Sequence, residues 1–184
     1  KQQHRGKRQR GKKNSEEDRA KPLKGNKKTL DEITVKTLDV KTGVPVQMKP
    51  ALNKEEAQEI LGTKEQHIPT LIRAVRELGP TIPVITDGPN GAFTVDADDQ
   101  AWRMPMYPDP APPEDRTGAG DSFSSTFTSA IILGKDPAEA LSWGPINSMN
   151  VVQHVGAQAG LLSMEELMKH LENRPEEYFA SKIN

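Results

Sequence analysis

Residues 115–121 read Asp-Arg-Thr-Gly-Ala-Gly-Asp. Three small residues, Gly118, Ala119 and Gly120, stand just before a second aspartate, Asp121. An apolar, helix-length segment, 122–133, follows. A small-residue turn feeding a helix leaves backbone N–H groups without intrahelical acceptors at the positive end of the helix dipole. That makes an anion site. Small side chains let the anion come close to the backbone. Asp121, at the same turn, is placed to take a proton from a group that attacks the bound anion. The combination points to phosphoryl transfer.

Two further motifs precede this one. Asn53-Lys54-Glu55-Glu56 opens a helical pattern, with Asn53 suited to the N-cap and Glu56 to the third position of a capping box. Thr86-Asp87-Gly88-Pro89-Asn90-Gly91 follows an apolar strand and is rich in turn formers. Taken alone, the first is a helix cap and the second a hairpin turn. The Asp115–Asp121 run is harder to read as a mere tight loop.

The elements that must position these motifs alternate between helix and strand. The spacing predicts a helix from Asn53 through Ala57, Ile60 and Leu61 to a stop at Gly62, and a second over about 68–78. Strands are predicted over 82–86, 92–95 and 101–106, with a polar turn at 96–100. Five prolines between Pro105 and Pro113 make an extended connector. Asp136-Pro137 opens another helix, Gly144-Pro145 breaks it, and helix resumes over about 146–154. A loop follows at Gly156–Gly160, and Ser163…Glu166 caps a last helix, about 164–172. Such alternation indicates an α/β layered domain.

Together, in this order, the three motifs resemble the phosphofructokinase-B, or ribokinase-like, family of sugar and nucleoside kinases. The resemblance covers roughly residues 51–172 and corresponds to that family's C-terminal, nucleotide-binding half. It implies a partial layered α/β/α domain with a mainly parallel sheet. It also implies an ATP-dependent phosphotransferase acting on a hydroxyl of a small-molecule sugar or nucleoside. By resemblance Asp121 is the catalytic base, and Gly118, Ala119 and Gly120 form the anion hole. Asn53 and Glu56 help place Mg²⁺ and phosphate. Thr86, Gly88 and Gly91 contact the ATP phosphates and ribose, and Asn147 lines the adenine pocket. Asp115 and Thr117, with the Gly156–Gly160 loop, resemble a monovalent-cation site for K⁺. Arg116 stands where the family usually has a small residue, and its side chain is expected to point outward.

The remaining chain departs from that pattern. Residues 1–28 hold twelve Lys or Arg against three acids and read as a disordered basic tail. The rest then carries 13 basic and 23 acidic residues, so a near-neutral total hides a basic tail on an acidic body. The tail has no Phe, Tyr or Trp to stack bases, which argues against a nucleic-acid partner. Residues 29–50 are poorly defined. Ile33, Val35 and Leu38 suit a strand and Val44–Val46 a second extended piece, but irregular chain fits as well. Gln47–Leu52 holds Lys49 and Pro50 where the family places a hydrophobic strand. The acceptor-binding N-terminal half of the family has no counterpart here, and the chain begins with Lys. A truncated chain is therefore expected, with a catalytically inactive nucleotide-binding remnant, or nucleic-acid binding through the basic tail, as the alternatives. There is no cysteine for disulfides or thiolate metal sites. No apolar run approaches a membrane span, and no signal peptide is evident, so a cytoplasmic location is expected.

Overall fold

The computed structural model describes residues 51–184, together with strands β1 (Val35–Leu38) and β2 (Pro45–Met48). The basic tail of the sequence reading lies outside the described residues. β1 and β2 form an antiparallel pair, with Val35 opposite Met48 and Leu38 opposite Pro45. Both extended pieces considered for that stretch are thus strands.

A second sheet runs in the order β3-β4-β5-β6-β7. Its strands are β3 (Leu52–Asn53), β4 (Val84–Thr86), β5 (Ala92–Val95), β6 (Ala101–Met104) and β7 (Ser181–Ile183). β3 and β4 are parallel; the other three pairings are antiparallel. The sheet is therefore mixed, which corrects the expectation of a mainly parallel one. The connections decide this. A parallel return needs a crossover of a dozen or more residues. α1 (Lys54–Leu61) and α2 (Ile68–Glu77) provide it between β3 and β4. Five-residue turns before and after β5 leave room only for antiparallel returns.

Period-2 alternation in the strands sends side chains to two helical layers. Leu52, Ile85, Phe93 and Val95 pack with Ala57, Leu61, Leu71 and Ile72 of α1 and α2. Val84, Ala92 and Met104 pack on the opposite face against the helices of residues 119–172. These are α3 (Ala119–Ile132), α4 (Pro137–Leu141), α5 (Gly144–Val151) and α6 (Met164–Glu172). The result is the expected α/β/α layering. Each fully buried Leu, Ile or Val adds about 1.5–3 kcal/mol, so these two layers hold the sheet.

Three local details differ from the sequence reading. α3 begins at Ala119 rather than Ser122, because Gly118 serves as the N-cap and the small residues join the first turn. Gly144-Pro145 opens α5 instead of interrupting a helix, since Pro at a first turn lacks only an N–H that has no intrahelical acceptor. At Gly144 a Cβ would stand 2.5 Å from the Phe123 ring, so glycine permits α3 and α5 to meet. β7 was not anticipated: Ser-Lys-Ile is too short and polar to show a strand pattern. It covers the edge of β6, so Trp102 sits one strand in from the sheet edge.

Candidate active site

The register puts Asn53 beside Thr86, Thr86 beside Ala92, and Ala92 beside Met104. One end of the sheet thereby gathers the carboxyl ends of the parallel pair β3 and β4, where α/β sheets place their ligands. A cavity of about 250 Å³ opens there, and Thr86, Gly88, Gly91, Ala119 and Gly120 all line it. Residues predicted from two separate motifs, more than 25 positions apart, therefore meet in one wall.

The first turn of α3 forms one side. Gly118 adopts φ +82°, and a Cβ there would lie 2.7 Å from the Cα and carbonyl oxygen of Ala157. Only glycine fits this turn against the 156–160 loop. Ala119 N–H donates to the Arg116 carbonyl at 3.3 Å, and Ser122 N–H to the Gly118 carbonyl at 2.8 Å. The amides of Gly120 and Asp121 have no acceptor among the described residues. Two orphan donors at the positive end of a 14-residue helix fit an anion such as phosphate. The Ala119 carbonyl accepts from Ser122 Oγ at 2.9 Å and from Ser148 Oγ at 2.7 Å, which ties this turn to α5. Asp121 is exposed, makes no hydrogen bond among the described residues, and stands next to the cavity wall rather than in it.

Asp115 braces the same turn from outside. Its Oδ1 accepts from Thr117 N–H at 2.9 Å and its Oδ2 from Gly156 N–H at 3.1 Å. Hydrogen bonds from the side chain and amide of Thr117, then from Gly156, hold the carboxyl below the usual carboxylate range. The structure thus brings Asp115, Thr117 and the 156–160 loop together through these hydrogen bonds.

Asn53 and Glu56 form a reciprocal capping box. Glu56 N–H donates to Asn53 Oδ1 at 2.8 Å, and Asn53 N–H to Glu56 Oε2 at 2.9 Å. They stand at the edge strand beside Thr86 and do not line the cavity. Lys54 at the start of α1 pairs with Asp87 of the neighbouring turn at 3.4 Å. No trio of His, Cys, Asp or Glu able to hold a metal occurs among the described residues.

Asn147 is buried away from the cavity. Its Nδ2 donates to Thr126 Oγ1 at 2.7 Å, and its Oδ1 accepts from Leu162 N–H at 3.0 Å. It lines a second cavity of about 210 Å³, behind α3. His154 bonds the Asn150 carbonyl at 2.9 Å and is absent from the main cavity wall. Arg116 is exposed and lines that wall. Phe123, Ser148 and Met149 also line it. Buried helix positions such as these carry no motif, so the sequence reading missed them.

A profile of the pfkB family carbohydrate kinases matches residues 48–164, well over half of the chain, and the protein belongs to that family. Among solved structures, the chain is similar to a ribokinase from Thermotoga maritima at 25% identity and a TM-score of 0.58, covering 67% of this chain and 41% of that one. It is also similar to a nucleoside kinase from Methanocaldococcus jannaschii at 24% identity and a TM-score of 0.55, covering 67% and 39%. A ribokinase from Arabidopsis thaliana, solved with ribose and ATP, has the same fold at 23% identity and a TM-score of 0.60, covering 66% and 40%. The chain spans about two fifths of the length of these relatives. No curated protein matches it. No helix among the described residues is long and apolar enough to cross a membrane.

Proposed function

We propose that this chain carries the nucleotide-binding part of an ATP-dependent kinase that phosphorylates a hydroxyl of a sugar or nucleoside. One observation carries the reading: the acceptor-free amides of Gly120 and Asp121, at the start of α3, with Gly120 in the wall of a cavity that Thr86, Gly88 and Gly91 also line. In this reading the Gly120 and Asp121 N–H groups bind phosphate oxygens and stabilise the charge that grows on them during transfer. Asp121 accepts the proton of the attacking hydroxyl at its carboxylate. Its lack of any partner among the described residues leaves that carboxylate free for the task. The apolar wall of Phe123, Met149 and Val152 excludes water from the phosphates. Mg²⁺ would add neutralisation of the phosphate charge, and Glu56 would be the carboxylate that orients its waters. Asp115 and Thr117 would hold K⁺ beside the turn.

The test is a titration of this chain with ATP, joined to a transfer assay on a panel of sugars and nucleosides. Binding with transfer supports the kinase. Binding without transfer to any acceptor leaves a nucleotide-binding remnant. Absence of ATP binding overturns both.

A further inference from the structure

Arg116 is the residue of the Asp115–Asp121 run to which the phosphate-binding reading assigns no task. It lies in the wall of the same cavity as Gly120, Thr86 and Gly88. It is the only cation among the described lining residues, and Asp109 is the only carboxylate there. Its carbonyl accepts from Ala119 N–H, which sets it immediately ahead of the free amides of Gly120 and Asp121. Its guanidinium has no ion pair or hydrogen bond among the described residues. The nearby Lys54 differs, because Asp87 already holds it at 3.4 Å. The residue is exposed, so its side chain is free to turn toward an anion.

An unpaired guanidinium beside two unpaired amides makes a set of donors that share one kind of acceptor. Guanidinium donates in a planar fork that matches two phosphate oxygens at once. A nucleoside with one phosphate cannot reach both the amides and the fork as well as a longer phosphate chain does. We propose that Arg116 is a phosphate-binding residue that contacts the terminal phosphates of a bound nucleoside triphosphate, so that affinity at this site rises with phosphate number. The proposal rests on the phosphotransferase reading of the same cavity.

Calorimetric titration of the whole chain tests it, with Mg-ATP, ADP and adenosine as probes, on the unchanged protein and on Arg116→Ala and Arg116→Lys. Loss of a charge-assisted bond to phosphate lowers affinity roughly ten- to hundredfold. Arg116→Ala should lose that much for ATP, less for ADP and nothing for adenosine, at an unchanged melting temperature. Arg116→Lys should recover part of the loss, since it keeps the charge but not the fork. Unaltered ATP affinity in both variants overturns the role of Arg116 and leaves the kinase reading standing. Equal losses for ATP and adenosine overturn it as well, because they indicate a disturbed fold. An unchanged protein that binds no ATP overturns the two together.

Discussion

The carboxylate of Asp115 holds the amide of Gly156, 41 positions along the chain, at 3.1 Å. Its other oxygen holds Thr117 N–H, so one ionised side chain locks the turn before α3 to the 156–160 loop. The folded-state pKa is depressed, so the contribution is complete above the ordinary aspartate range near ~3.9 and is lost as pH falls through the depressed value. Asp115→Asn offers a donor where an acceptor is needed. Its melting temperature should fall below that of the unchanged protein at pH 7, and the gap should close under acid conditions. A gap that stays constant from pH 7 to pH 3 would show that the charge does not hold the loops.

Gly118 and Gly120, two residues apart, should respond oppositely to alanine. At Gly118 the positive φ alone costs about 1–3 kcal/mol, and the overlap with Ala157 adds to it. At Gly120 an added Cβ meets nothing within 4 Å and the backbone is helical, so alanine should stabilise by up to roughly 0.5–1 kcal/mol. Gly120 nevertheless lines the cavity, so Gly120→Ala should bind ATP more weakly. Urea melts and nucleotide titrations of the two variants check both halves.

Asp121→Asn should separate chemistry from binding. Loss of a general base slows turnover roughly 10²- to 10⁴-fold. The exposed carboxylate has no partner among the described residues, so stability should shift by no more than about 0.5 kcal/mol and ATP affinity should hold. Turnover is to be measured in a preparation that transfers phosphate. Full activity in the variant would remove Asp121 from the mechanism.

Tyr178 gives a test of the scaffold apart from the site. Its ring is almost fully buried, and its hydroxyl donates to the Ser142 carbonyl at 2.6 Å. Burial raises the phenol well above its ordinary pKa, so the neutral donor form persists. Tyr178→Phe removes the donor and keeps the packing. A loss of about 1 kcal/mol is expected by denaturant titration, with ATP affinity unchanged.

Elements with terminal signals were legible before the structure. Asn53 and Glu56 announce α1, Ser163 and Glu166 announce α6, and Asp136 with Pro137 announces α4, because capping chemistry is local. The start of α3 was not, since Ala-Gly-Asp suits a turn as well as a helix, and Gly118 decides between them through its contact with Ala157. The mainly parallel sheet came from the resemblance, and the five-residue turns on either side of β5 make those pairings antiparallel instead. In the site, Thr86, Gly88, Ala119 and Gly120 were found from motifs and share one cavity. The place of Asn147 behind α3 follows from its bonds to Thr126 and Leu162, which no spacing rule encodes.

The Ala119 carbonyl, gripped by two serine hydroxyls, has a consequence for speed as well as for strength. The peptide dipoles of the first turn of α3 are oriented when the chain folds, with Ser148 bracing them from a separate helix. In the proposed kinase an arriving anion would meet donors that need no rotation, so the reorganisation that solvent water would undergo at each turnover would be avoided. Ser148→Ala would keep every amide in place on average and let the turn rock. The effect would be felt most in the step where charge moves and least in the step where the nucleotide docks.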